Sequence, residues 1–348
     1  MRYEKIKVLI VDDSMVFRKV LIDYMSSLPD VEVVGFAINA FDAKQKIPIL
    51  KPDVVTLDVE MPGMNGIEFV KQLIPQNPIP VILVSSLNLN VFEALSAGAV
   101  DFVRKPDMSS PSSNRQFLET LGSKVRIASR AQVIPGAVSS KPDEPIQQVT
   151  SVGISPLKLN STILAIGAST GGTEATLAVL KQFPANCPAM VITQHMPEGF
   201  TKMYADRLNR ICAMEVREAQ NGDKLHPGLA LIAPGNLQMK VTKMGTQYSV
   251  KCYPGEKVSG HTPSVDVLFT SMAETVGRNG IGVILTGMGR DGADGLLKMR
   301  KSGAYTIGQN KETCVVYGMP MVAYNIGAVT IQSTLNNIPS LVKNYLSK

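Results

Sequence analysis

Residues 166–175 read "IGASTGGTEA", and three motifs with different chemistries overlie them. Gly167-Ala168-Ser169-Thr170-Gly171 fits the G-x-S-x-G turn that exposes a nucleophilic serine. Gly167 to Gly172 has the glycine spacing of a phosphate-cradling P-loop, and the same residues fall one substitution short of the dinucleotide-binding G-x-G-x-x-G. All three set a tight turn between a β-strand and the N-terminus of a helix. Whichever chemistry applies, the segment around the turn is predicted to be α/β.

The same alternation extends in both directions. "AMVITQH" (189–195) and "GIGVILTG" (280–287) are apolar runs of buried-strand type, each followed by a helical pattern. "LALIAPG" (229–235) and "YSVKCYPG" (248–255) read as shorter strands with hairpin character. Upstream, "KVLIVDD" (7–13), "EVVGFA" (32–37), "DVVTLDV" (53–59), "PVILVSS" (80–86) and "DFVRKP" (101–106) read as five strands with amphipathic stretches between them. Strands alternating with helices predict parallel, doubly wound sheets. Periodicity fails at "DMSSPSSNR" (107–115), a weak helical pattern covers 116–132, and 135–160 is rich in Pro, Ser, Gly, Lys and Asp. The expected division is a first domain over 1–122 with a five-stranded parallel sheet, a linker over 123–159, and a larger α/β domain over 160–348 with some antiparallel strands.

Bulk properties agree with two globular domains. The 348 residues exceed what one hydrophobic core usually serves, and 45% are apolar against 18% charged. No apolar run approaches the roughly 20 residues that span a bilayer, and the N-terminal apolar stretch is too short for a signal peptide. A cytoplasmic location is expected. Four cysteines without a C-x-x-C pair argue against structural zinc and against a disulfide framework. The net charge of +6 is scattered and forms no nucleic-acid footprint.

Asp12 and Asp13 end the first predicted strand, Asp58 the third, Ser85 the fourth and Lys105 the fifth. In a parallel sheet these ends share the carboxyl edge, where ligands bind. Three converging carboxylates repel one another unless a hard cation such as Mg²⁺ sits among them. Lys105 adds a positive charge for a phosphoryl group, and Ser85 a hydroxyl. A single aspartate in such a place is often only a helix cap; the combination points to a site.

The further demands of each motif over 167–174 separate the readings. A P-loop needs Lys and then Ser/Thr after its last glycine, where Thr173 and Glu174 stand. A dinucleotide site needs glycine where Ser169 stands and an acidic residue ending the next strand, which instead ends in Gln194-His195. A nucleophilic serine needs a base and an orienter of that base. Of the three histidines, His195 ends a strand on the same sheet edge as Ser169. His226 lies in a turn, and His261 lies beside a helix start expected to have Thr262 as cap and Pro263 as first residue. Asp291, after the third buried run, is the orienter, with Asp294 as local competitor and a helix cap as its alternative role. A pairing of Ser169 with Asp223 and His226 would follow the chain order of α/β-hydrolases, but places both partners in a polar turn.

Two resemblances follow from these residues. "VLIVDDS", "LDVEMPGMNG", "VSS" and "DFVRKP" resemble the receiver domain of two-component response regulators over residues 5 to about 122. That likeness implies Asp58 as phosphoryl acceptor, Mg²⁺ held by Asp13, Asp58 and the carbonyl of Glu60 with Asp12 assisting, and Phe102 as the aromatic that moves upon phosphorylation. Asn65 stands where many members carry Asp. "AIGASTGGTEA", "ITQHMPEGFT", "PSVDVLF" and "GVILTGMGRDGADGL" resemble the catalytic domain of the chemotaxis protein-glutamate methylesterase family, whose members carry a receiver upstream. This implies Ser169 as nucleophile, His195 as base, Asp291 as orienter and the Met288 N–H as oxyanion donor. It also implies hydrolysis of glutamyl methyl esters and deamidation of certain glutamines on chemoreceptors, with no cofactor for the ester reaction. Association with membranes would be peripheral, through receptors alone, and a chemotaxis histidine kinase would phosphorylate Asp58 to relieve occlusion by the receiver. The rival expectations, a DNA-binding output and a nucleotide-dependent oxidoreductase, lack respectively a helix-turn-helix pattern and the motif residues noted above.

Overall fold

In the computed structural model, which describes residues 4–86, 90–106, 110–133 and 156–347, the chain folds as two units, Met1–Ser139 and Ser140–Lys348. In the first, β1 (Ile6–Val11), α1 (Met15–Ser27), β2 (Val31–Ala37), α2 (Ala40–Leu50), β3 (Val54–Asp58), α3 (Gly66–Gln76), β4 (Val81–Ser85), α4 (Asn90–Ser96), β5 (Asp101–Arg104) and α5 (Pro111–Ala128) alternate along the chain. The sheet order is β2-β1-β3-β4-β5, parallel throughout. β3 and β4 are buried along their whole length, as parallel strands covered on both faces must be. The helices start where a side chain caps them. Ser14 accepts from the Phe17 N–H, Asn39 from Asp42, Asn65 from Glu68 and Ser110 from Ser113. Asn65 is thus a helix cap.

α5 begins at Pro111, inside the stretch where periodicity failed, and runs beyond residue 122 to Ala128. Its buried Phe117, Leu121, Val125 and Ala128 form one helical stripe, which carries the helix past the expected domain end. The capping serine and the proline at the first turn hid this start among polar residues. Residues 107–109 and most of the expected linker lie outside the described residues.

The second unit contains α6 (Pro156–Ser161), β6 (Ile163–Ala168), α7 (Gly172–Leu180), β7 (Ala189–Gln194), α8 (Phe200–Ile211), β8 (Glu215–Glu218), β9 (Leu229–Ile232), β10 (Gln238–Met244), β11 (Gln247–Tyr253), α9 (Val265–Thr275), β12 (Gly280–Ile284), α10 (Ala293–Lys301), β13 (Tyr305–Gln309), α11 (Met319–Asn325), β14 (Ile331–Ser333) and α12 (Ile338–Ser347). Seven strands form one parallel sheet in the order β14-β13-β12-β6-β7-β9-β8. β9 was expected to have hairpin character but pairs in parallel with both β7 and β8. All of its residues are buried, as a two-faced parallel strand requires. The hairpin is β10–β11 instead, with exposed Lys240 and Lys251 opposite one another and buried Val241 and Val250 next to them.

From β6 the chain winds one way to β7, and later the other way from β12 to β13. The order therefore reverses between β6 and β12, which opens a crevice at their carboxyl ends. β1 and β3 make the equivalent point in the first unit. α9 presents Val265, Leu268, Phe269 and Met272 to a core shared with Leu296 and Met299 of α10 and Ile163, Ala165 and Ile284 of the sheet. That spacing of three, four and seven is one helical stripe, and it fixes where the N-terminus of α9 points.

Candidate active site

Ser169 is the first residue after β6, and its own backbone groups pin its turn. Its N–H donates to the Thr286 carbonyl (3.0 Å), and its carbonyl accepts from the Gly172 N–H (2.7 Å) and the Gln194 side-chain amide (2.8 Å). Gly171 has φ +75°, and a Cβ there would lie 2.7 Å from the Val315 side chain. A Cβ on Gly172 would lie 2.3 Å from Gln194 Oε1. The glycines of the motif therefore accommodate the protein's own side chains. Glu174, where a P-loop has its hydroxyl residue, forms an ion pair with Arg207 (2.7 Å), and Thr173 is buried. Both nucleotide readings fail on these contacts.

His195 follows β7, the neighbour of β6, and its N–H donates to the Ala168 carbonyl (3.1 Å). Adjacent register thus brings the residues after the two strands together. His195 Nε2 meets Asp291 Oδ2 at 2.7 Å, both side chains being nearly or fully buried. An imidazole that donates from Nε2 leaves Nδ1 as its basic nitrogen, and Nδ1 is buried without a hydrogen-bond partner. A nitrogen in that state can accept a proton.

Asp291 lies in the loop after β12. It does not cap α10, whose N-cap is Gly292. It receives the N-terminus of α9: Val265 N–H donates to Oδ2 (2.7 Å), and Asp266 N–H (3.0 Å) and the Ser264 hydroxyl (2.7 Å) donate to Oδ1. Asp266 in return accepts from the Gly295 N–H of α10 (2.7 Å), so each acid caps the other's helix. Burial alone would raise the Asp291 pKa. The hydrogen bond and charge of His195, with the Ser264 hydroxyl and the Asp266 N–H, outweigh burial and hold the carboxyl below its usual range. Asp266 moves the other way, raised by burial and by the Asp291 charge against the pull of the Gly295 N–H.

Ser264, not Thr262, is the cap of α9, with Val265 first in the helix. This role of the "PSVD" segment was not visible from the chain alone, because its partner Asp291 lies 27 residues on. His261 was also missed as a neighbour of the site: its ring stacks on His195 with centroids 3.6 Å apart and planes 9° from parallel. The alternatives fall away. His226 is exposed and bonds the Pro227 carbonyl, Asp223 pairs with Arg217, and Asp294 pairs with Arg290 at the surface.

The Gly287–Met288 backbone passes directly beside the serine. A Cβ on Gly287 would come within 2.6 Å of Ser169 Cβ, so only glycine fits there. Thr286 ties this loop to the Ser169 turn by donating from its hydroxyl to the Thr170 carbonyl (3.0 Å). The Gly287 carbonyl accepts from Gly318 and Met319. Among the described residues no partner takes the half-buried Met288 N–H. It is available to an oxyanion, as is the positive end of α7.

In the first unit, Asp12, Asp13 and Asp58 present oxygens within 4.8 Å of one another. Lys105 Nζ lies 2.6 Å from Asp58 Oδ2 and 3.9 Å from Asp12 Oδ2. Three carboxylates against one ammonium leave a negative excess, and Asp12 Oδ2 is buried without a hydrogen-bond partner. A hard divalent cation suits both facts. Burial, then the Asp58 charge, pushes Asp12 up to about 6 against the pull of Lys105. Burial likewise raises Asp58, opposed by Lys105 and by the Glu60 N–H at 3.0 Å. The Glu60 side chain turns away to Ser86 (2.6 Å), the buried Ser85 hydroxyl donates to the Ser86 carbonyl, and Phe102 is buried edge-on to Phe92.

A raised carboxyl binds its proton more tightly folded than unfolded, so stability falls as pH rises from about 4 to 6 and stays low above. In chelator, Asp12→Asn is expected to stabilise this unit by about 1–3 kcal/mol at pH 7.5 and by almost nothing at pH 4. Denaturant melts at the two pH values measure it, and no gain at pH 7.5 would contradict the electrostatics. A divalent cation should reverse the order, because it binds the wild-type carboxylate better.

Residues 164–342 match the family described as CheB methylesterase, and residues 8–110 match the response regulator receiver domain. A Syntrophomonas wolfei protein named protein-glutamate methylesterase/protein-glutamine glutaminase 2 is 52% identical over 338 residues, 97% of either chain. The chain belongs to the CheB methylesterase family. A CheB relative from Escherichia coli (strain K12), named protein-glutamate methylesterase/protein-glutamine glutaminase, is 45% identical over 93% of this chain and 92% of its own. The crystal structure of the Thermotoga maritima CheB methylesterase catalytic domain is 34% identical with a TM-score of 0.52, covering 53% of this chain and 98% of that one. None of the described helices is long and apolar enough to cross a membrane.

Proposed function

We propose that the chain is a phosphorylation-controlled serine hydrolase that removes γ-methyl esters from glutamates, and deamidates certain glutamines, on methyl-accepting chemotaxis receptors. The observation that carries the reading is the His195 ring, with one nitrogen on a buried carboxylate and the other buried without a partner beside the Ser169 turn. Ser169 Oγ attacks the ester carbonyl while its proton passes to His195 Nδ1. The Met288 N–H holds the oxyanion, and Asp291 keeps Nε2 protonated and offsets the imidazolium charge. His195 returns the proton to the departing methoxide, and methanol leaves. Water, activated by the same base, then hydrolyses the acyl-enzyme. Glutamine follows the same course, with ammonia leaving. No cofactor takes part.

The proposed division is a receiver closing with α5, a linker, and a catalytic domain from about residue 160. In the receiver, Asp58 takes a phosphoryl group from the chemotaxis histidine kinase, and Lys105 neutralises its oxygens. Asp13, Asp58 and the Glu60 carbonyl, with Asp12 assisting, would hold Mg²⁺, which would supply positive charge against the phosphoryl oxygens. Ser85 and Phe102 respond to the phosphorylated state. The protein acts in the cytoplasm and meets the membrane only through its receptors.

Incubation with methylated receptor membranes tests the activity. Methanol is expected with the wild type, and its absence would overturn the assignment. Asp58→Asn should lose all phosphoryl uptake from the kinase or a small acyl phosphate while keeping basal methanol release. Chelation should likewise block uptake in the wild type. Labelling of Asp58→Asn to wild-type extent would move the acceptor elsewhere.

A further inference from the structure

We infer that His261 is a positioning residue of the esterase reaction, bracing the His195 imidazole by its face and stabilising it as it becomes charged; this rests on the triad reading above. Asp291 grips the imidazole only at its edge, through the single bond to Nε2. An edge contact leaves the ring free to swing about its side-chain torsion, and χ2 of histidine is a broad well. The face contact removes that freedom, with the His261 ring lying 3.6 Å from the His195 ring and 9° from parallel.

His261 is itself held in place. Its N–H donates to the Val258 carbonyl (2.9 Å), and its carbonyl accepts from the Val258 N–H (3.0 Å) and the Gln238 amide (3.3 Å). Three residues later Ser264 and Val265 bind Asp291. One short segment, residues 258–266, thus fixes the base by its face and the acid by both oxygens.

The stack also matters to the chemistry. Two neutral rings lying face to face gain little, because their quadrupoles oppose. When Ser169 gives its proton to Nδ1, the His195 ring carries N–H groups at both nitrogens and a positive charge. The His261 π-face at this distance then attracts it. The interaction strengthens as the transition state forms, so it acts on kcat and leaves substrate binding alone.

The full chain with His261→Ala is expected to lose about tenfold in kcat for methanol release, with KM within about twofold of wild type. His261→Phe keeps a planar face without a titratable nitrogen and should recover to within about threefold of wild type. Circular dichroism checks that both variants fold. A second readout does not depend on substrate. With only three histidines in the chain, the His195 Cε1–H resonance can be assigned. Shielded by the ring above it, it should move downfield in His261→Ala and stay near its place in His261→Phe. Wild-type kcat in the alanine variant, a change confined to KM, a phenylalanine variant as slow as alanine, or an unmoved resonance would each overturn the proposal. Failure of the triad reading looks different: Ser169→Ala would keep its activity, while the resonance shift would still report the stack.

Discussion

Ser169→Ala is expected to slow methanol release from methylated receptors by about 10³–10⁶-fold, down to what the oxyanion donors and substrate binding supply on their own. The fold should not notice. Among the described residues, Ser169 hydrogen-bonds through its backbone, to the Thr286 carbonyl, the Gly172 N–H and the Gln194 amide. The alanine methyl occupies the place of the serine Cβ beside Gly287, so stability should stay within about 0.5 kcal/mol of wild type. That separation makes the test sharp, because a folding defect cannot imitate it. His195→Ala should cost as much, and the double variant scarcely more, since a nucleophile without its base and a base without its nucleophile are equally idle. Methanol assays on the three variants measure this. Release by Ser169→Ala within tenfold of wild type would remove the serine from the chemistry.

The chain disclosed most where one residue type at one strand end demanded a particular neighbour. β6, β7 and β12 were legible as apolar runs, and with them the edge on which Ser169 and His195 sit, because parallel strands buried on both faces leave a continuous hydrophobic signature. The acidic cluster of the receiver was legible for the same reason, with Asp12, Asp58 and Lys105 each ending or following a strand. What stayed hidden were relations between distant segments that carry no periodicity. Nothing near Asp291 announces that the N-terminus of α9 closes on it, and nothing near His261 announces a partner 66 residues earlier. β9 was misjudged because four residues flanked by Pro and Gly look the same at the middle of a sheet as at a hairpin. α5 was cut short because Ser, Asn and Arg in its first turns give no apolar stripe until Phe117. The glycines at 171 and 172 were correctly assigned to a tight turn, but their neighbours, Val315 and Gln194, come from parts of the chain that the local pattern does not reach.

Asp291→Asn should be damaging twice over. The two carboxylate oxygens accept four hydrogen bonds, Oδ2 from His195 and Val265 and Oδ1 from Ser264 and Asp266. An amide offers only one accepting atom. With its NH₂ at Oδ2 it confronts the Val265 N–H and forces the His195 proton onto the nitrogen that must act as base. With its NH₂ at Oδ1 it confronts the Asp266 N–H, while the Ser264 hydroxyl can rotate to accept. The second arrangement costs less, since a hydroxyl turns and a main-chain N–H does not. Even so, one buried N–H is stranded and the imidazolium loses its counter-charge. The expected result is a fall in kcat of about 10³–10⁴-fold together with a loss of about 2–4 kcal/mol of stability at pH 7. The pH dependence has a definite sign. The Asp291 carboxyl is held below its ordinary value, so its contribution is complete above about pH 4 and is lost as pH falls through the folded value. The stability gap between wild type and Asp291→Asn should therefore narrow on acidification, as the wild-type carboxyl takes up its own proton. Urea melts at pH 7 and pH 3 decide it. Equal stability at pH 7, or a gap that widens in acid, would mean that the α9 N-terminus does not hold an ionised Asp291.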